Sequence, residues 1–128
     1  MSTGDREVPM TSAIVGLELP MTEKEFLALG ETSERIELFD GSLFVTPAPT
    51  PRHQYISSEL VVAMRPAARK VGLHVHEAVN VRLQENRIPI PHLAVTTAID
   101  FDDPVIDADA VRLVCEIVSP SDAATDKC

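Results

Sequence analysis

"RIELFDGSLFVT", Arg35 to Thr46, is the stretch on which the fold class turns. Two runs rich in β-branched and aromatic residues flank Asp40-Gly41, a pair that tolerates the positive φ angles of a tight turn, so the stretch predicts a β-hairpin. Upstream, in "MTEKEF", the Thr22 hydroxyl is placed to cap a helix, Glu25 returns the bond to the Thr22 backbone, and Met21 can pack on Phe26. Gly30 is a natural stop. Residues 1–20 carry neither helical nor strand periodicity and are expected to form a flexible arm ahead of a single domain over 21–128. Downstream, "PAPTP" is a rigid connector with Thr50 as N-cap and Pro51 at the first helical position.

Ile56, Leu60, Ala63, Met64, Ala67 and Val71 recur at steps of three and four, which predicts one apolar face on a helix from about Arg52 to Val71. Pro66 removes a backbone hydrogen bond inside it, so a kink or break is expected near Val62 to Met64. After Gly72 the period becomes two: "VNVRL" sets Val79, Val81 and Leu83 on one side and Asn80 and Arg82 on the other. "HLAV" predicts another strand. "RLVCEIV", Arg112 to Val118, is apolar on both faces and predicts a central strand, with the acidic loop "DFDDPVIDAD" between the two. The order helix, hairpin, helix, three strands predicts an α/β (α+β) fold, a mixed β-sheet flanked by helices.

No apolar run approaches the roughly 18 residues that span a bilayer, and "MSTGDREVPM" lacks a basic region followed by an apolar stretch, so a cytoplasmic protein without a membrane partner is expected. Cys115 inside an apolar run and Cys128 at the last position are a poor disulfide framework. A net charge of -9 excludes a surface that attracts nucleic acid everywhere. The charge is uneven: residues 1–51 hold 3 basic and 9 acidic groups, 52–87 hold 6 and 3, and 88–128 hold 2 and 8. Only the middle third is net positive, and its Arg65, Arg69 and Lys70 either meet a phosphate backbone or solvate the outer helix face.

Glu116 stands among Leu113, Val114, Cys115, Ile117 and Val118, where an ionised carboxylate needs a proton, a partner or a metal. A salt bridge to Arg112 or Arg35, or a strand with one solvated face, would also satisfy it. "SPSDAATD" follows as a strand end turning into a helix, with Ser121 or Asp122 as cap. "HVH" projects His74 and His76 from one strand face, which with His53 and His92 leaves a transition-metal protein as a further reading.

The succession "MTEKEFLAL", "RIELFDGSLFVTPAPTPRHQ", "VNVRL", "PIPHLAV" and "CEIVSPSDAATDK" resembles the Uma family of restriction endonucleases, a branch of the PD-(D/E)XK nuclease superfamily. The resemblance covers Met21 to the C-terminus. It implies a restriction-endonuclease-like core and a divalent cation, Mg²⁺ or Mn²⁺, that activates water against a DNA phosphodiester. By resemblance, Glu37, His92 and Glu116 stand at catalytic positions, His92 and Glu116 at metal positions, and His53, Ser119 and Ser121 beside them. The family's aspartate after proline is here His92, in Pro91-His92-Leu93, and an imidazole lacks the charge and oxygen donor that favour Mg²⁺. A lysine is expected beyond the position matched by Asp126, and Lys127 falls too early for it. The chain is therefore expected to be C-terminally truncated relative to the family, with hydrolysis impaired or lost and no cofactor if so. The alternative is a non-catalytic binding or interaction module. The sheet edge that such a truncation would leave open is expected to mean either a fragment of a longer product or an edge covered by a homodimer.

Overall fold

The computed structural model of the chain describes residues 19–32 and 34–118. In chain order its elements are α1 (Glu23–Leu27), β1 (Arg35–Phe39), β2 (Ser42–Thr46), α2 (Pro51–Lys70), β3 (His74–Glu77), β4 (Val81–Arg82), β5 (Arg87–Ile88), β6 (Leu93–Thr96), β7 (Ile106–Asp107), a 3-10 turn (Ala108–Ala110) and β8 (Val111–Cys115). They divide into two compact units, each assembled from two stretches: residues up to 48 with 80–90, and 49–79 with those from 91 onward.

In the first unit the hairpin forms as expected, β1 antiparallel to β2, with Phe39 opposite Ser42. Asp40 and Gly41 take φ of 53° and 92°, the two positive values of a type I′ turn. Ile36 and Leu38 alternate inward on β1, and Leu38 stands opposite Ile88 of β5, both fully buried. α1 starts as its sequence dictates: Thr22 accepts from the Glu25 backbone at 3.2 Å and Glu25 accepts from the Thr22 backbone at 2.9 Å. Met21 and Phe26 are buried, and the Met21 N–H donates to the Gly41 carbonyl at 2.9 Å, fastening the helix start to the hairpin turn. β4 keeps two residues of the expected "VNVRL" strand. Ala78 has a positive φ of 54° at one side, and on the other Leu83 is exposed.

In the second unit β6 lies between β3 and β8, antiparallel to both. Val61 and Ala68 of α2 pack with Val75, Leu93 and Val95 of the sheet, with Leu60, Met64, Leu73 and Cys115 at the margin. Thr50 caps α2 by accepting from the His53 backbone at 3.2 Å. Two expectations change here. Of the kink or break expected at Pro66 the break does not occur, the helix continuing to Lys70, and Val62, whose carbonyl loses its partner, is exposed where water can take that role. The buried face is Ser57, Val61 and Ala68, about one residue out of phase with the expected stripe, while Ile56 and Val71 are exposed. Ser57 accounts for the difference: its hydroxyl is buried because it donates to the Glu77 carboxylate on β3.

β8 is also corrected. It is an edge strand among the described residues, and Leu113 and Val114 are about half exposed. An apolar run fits an uncovered face as well as a covered one, because what decides is the neighbouring element, which the run does not contain.

Candidate active site

His92 immediately precedes β6 and Glu116 immediately follows β8. The register that sets Leu93 opposite Cys115 therefore sets these two side by side at the strand ends. Their side chains meet, His92 Nδ1 lying 3.0 Å from Glu116 Oε1. His53, in the first turn of α2, places its ring edge-on to that of His92, centroids 4.3 Å apart at 78°. His53, His92 and Glu116 are thus brought together by three separate segments of the second unit.

His92 Nδ1 has two neighbours and can satisfy one. The Ile117 N–H donates to it at 2.7 Å, which requires an unprotonated Nδ1. Donation to Glu116 would require a proton on the same nitrogen. The backbone N–H is fixed, whereas the Glu116 side chain is 55% exposed and free to turn to water. The bond from Ile117 thus goes with a ring unprotonated at Nδ1, whereas a ring protonated there would donate to Glu116 instead. The expectation of a carboxylate stranded in an apolar strand is corrected: Glu116 lies beyond the strand end, half in solvent, and its partner is His92. Arg112 donates to backbone carbonyls of Asp109 and Val111.

The donor set is one carboxylate and two imidazoles. Mg²⁺ prefers oxygen ligands, and this cluster of the second unit supplies one acidic side chain. Imidazole suits Mn²⁺, Fe²⁺ or Zn²⁺, and His53 Nδ1 is buried with no hydrogen-bond partner. Yet His92 Nδ1 is already taken by Ile117, and no group of three His, Cys, Asp or Glu among the described residues is arranged to hold a metal. The residues as placed do not fit the divalent cation that the resemblance implies.

Glu37 belongs to the first unit, where it accepts from the Ile90 N–H at 2.6 Å and lies 4.0 Å from Arg35, which itself donates to the Ile90 carbonyl. Ser119 and Ser121 lie outside the described residues, as do Asp122, Asp126 and Lys127. Arg65 and Arg69 face a cavity of the second unit together with His74 and His76, and Lys70 is exposed at the helix end. His74 and His76 do share one face of β3, their rings 6.3 Å apart. Sequence reasoning missed Ile117, whose contribution is a backbone N–H and so leaves no trace in residue type. It also missed Thr96 and Phe101, which reach the β3 histidines from β6 and from the acidic loop.

A family profile described as "Putative restriction endonuclease" (Uma2) matches residues 23–128. The chain belongs to this family. Among solved structures, a "putative nuclease belonging to DUF820" from Anabaena variabilis ATCC 29413 matches 83% of the chain with a TM-score of 0.64 at 21% identity, a likeness of fold. The Uma2 chain described here spans 63% of the length of that structure. No curated protein matches it. The α+β class is thus as the sequence led one to expect, while the strands form separate small sheets with antiparallel pairing where one mixed sheet was expected. No helix among the described residues is long and apolar enough to cross a membrane.

Proposed function

We propose that this Uma2 chain is a DNA-contacting, restriction-endonuclease-like protein whose inherited divalent-cation-dependent phosphodiester hydrolysis is impaired at His92. One observation carries the reading: His92, which by resemblance stands at the position of the family's aspartate, is an imidazole whose Nδ1 accepts from the Ile117 N–H beside Glu116. That arrangement lacks the second acidic oxygen with which Mg²⁺ would be held. Glu116 and His92 are the residues of the metal position, His53 their neighbour, and Glu37 enters by resemblance alone. Arg65, Arg69 and Lys70 supply the backbone contacts, and the protein acts in the cytoplasm.

The test is plasmid nicking with Mg²⁺ and with Mn²⁺. The wild-type chain is expected to give no more than trace nicking, stronger with Mn²⁺. His92→Asp should raise the rate with Mg²⁺ by at least about tenfold, the scale of one restored charge-stabilising group. Glu116→Ala should abolish whatever cleavage remains. Efficient Mg²⁺-dependent cleavage by the wild type would overturn the reading.

The second reading, a non-catalytic binding module, is favoured by the half-exposed apolar edge of β8, Leu113 and Val114, which suits pairing with a second copy. Sedimentation should then show a homodimer that Val114→Lys dissociates. Salt-sensitive DNA retention without cleavage, even in His92→Asp, would select this reading over the first.

A further inference from the structure

The C-terminal half of α2, β3 and the acidic loop frame a cavity of about 440 Å³ in the second unit, within the range of small-ligand sites. Its wall includes Arg65 and Arg69, one helical turn apart, His74 and His76 on one face of β3, Glu77, and Phe101. Twelve residues of helix separate His53 from Arg65, roughly 18 Å at 1.5 Å per residue, so this is a different place from the imidazole cluster at His92.

The polar groups here are prearranged. Arg65 donates to the Val75 carbonyl at 3.2 Å, which fixes its guanidinium and leaves further N–H groups to donate. The Arg69 side chain makes no hydrogen bond or ion pair among the described residues, while its carbonyl accepts from the Gly72 N–H at 3.1 Å. The Thr96 hydroxyl spends its one proton on the Thr97 carbonyl at 2.8 Å, so at 2.9 Å it must accept from His76 Nε2–H. Nδ1 is then the nitrogen of His76 that titrates. Burial first, then the charges of His74 and Arg65, push its pKa below the ordinary value. The one carboxylate on the wall, Glu77, accepts from the Ser57 hydroxyl and, at 3.5 Å, from Gln54. Asp100 and Asp103, beside Phe101, accept backbone N–H groups of Asp102 and Val105 within their own loop.

Phe101 supplies the other half of the chemistry. It is 70% exposed, held edge-on to His74 at 5.7 Å and to His76 at 5.6 Å. An exposed aromatic side chain beside two arginines offers a stacking surface next to an anion site, the pairing that recognises a base and its phosphate.

We propose that this cavity binds a nucleoside phosphate, the phosphate on Arg65 and Arg69 and the base against Phe101. The proposal needs neither a metal nor hydrolysis; it rests on the function proposed above only in giving Arg65 and Arg69, there the DNA backbone contacts, to a phosphate. The ligand is either a free mononucleotide or one unit of a single strand. At about 3.4 Å per nucleotide, roughly five nucleotides would span the distance to the His92 cluster.

Binding of adenosine 5′-monophosphate, of inorganic phosphate and of a labelled hexanucleotide is measured by calorimetry and anisotropy in EDTA. Wild type is compared with Arg69→Glu, Phe101→Ala and His92→Ala, each first shown to melt like wild type. Phe101→Ala is expected to weaken the mononucleotide about tenfold while leaving inorganic phosphate unchanged, since stacking acts on the base alone. Arg69→Glu should weaken both by a similar or larger factor, and His92→Ala should change neither. As the pH falls from about 7.5 to about 5.5 the phosphate itself loses charge, its second pKa being about 6, so the His76 contribution is read against His76→Gln: wild type should gain affinity relative to that variant, because the phosphate favours the charged His76 that Arg65 and His74 otherwise oppose, Glu77 being engaged by Ser57 and Gln54. A hexanucleotide that binds at least about tenfold tighter than the mononucleotide identifies a strand as the source, and equal affinity identifies the free nucleotide. No detectable mononucleotide binding, or binding that neither Arg69→Glu nor Phe101→Ala alters, overturns the proposal, whatever the nicking assay gives.

Discussion

Gly41 holds a φ of +92°, and a Cβ added there would meet the Cβ of Pro20 at 2.5 Å. Gly72 has a similar φ of +74° but open space around it. Gly72→Ala is expected to cost only the left-handed backbone strain, about 1 kcal/mol, whereas Gly41→Ala should cost that plus displacement of Pro20, about 2–4 kcal/mol in all. Urea denaturation of the two variants checks this, and equal losses would contradict the close approach. At His76 the sign of the pH dependence is fixed by its lowered pKa. The unfolded chain binds the proton more readily, so the contribution to stability is complete above the ordinary value near 6.5 and is lost as pH falls through the lower folded value. His76→Gln should flatten that part of the melting-temperature profile. Residue type alone disclosed Thr22, Glu25, Asp40 and Gly41 because each acts on neighbours within three positions. The bond from Ile117 to His92 joins residues 25 apart, and nothing local records it.

α2 shows what a periodic pattern does and does not specify. Its start at Thr50 and Pro51 follows from capping chemistry, and Thr50→Ala is expected to lower stability by about 1 kcal/mol. Its interior contains Pro66, which forgoes a backbone bond. Pro66→Ala should therefore stabilise the protein, by up to about 3 kcal/mol in chemical denaturation, and a loss of stability would mean the proline shapes a contact that alanine cannot. The phase of the helix escaped the pattern because counting apolar residues places serine outside, and here Ser57 is inside, bonded to Glu77. The same limit applies to β5 and β7, two residues each, too short for any period to register.

At the scale of the whole molecule, five separated sequence blocks were enough to identify a Uma2 protein, since order and spacing of blocks survive where single residues change. What those blocks did not disclose is which acidic and imidazole groups meet. His53 and His92 come together through packing of α2 on the sheet, while Glu37 folds into the other unit with Arg35 and the Ile90 backbone. The charge pattern was legible in outline: the net-positive middle third contains the arginines that line the cavity of the second unit.

The two units are threaded through one another in the chain, residues 49–79 interrupting one and 80–90 interrupting the other. Any recombination breakpoint between 49 and 90 would part β1 from β5, β3 from β6, or both. Inheritance thus has to transmit this stretch whole: neither half can be shuffled into another gene as a ready-made cassette, and a ribosome must reach Ile88 before the first sheet can close.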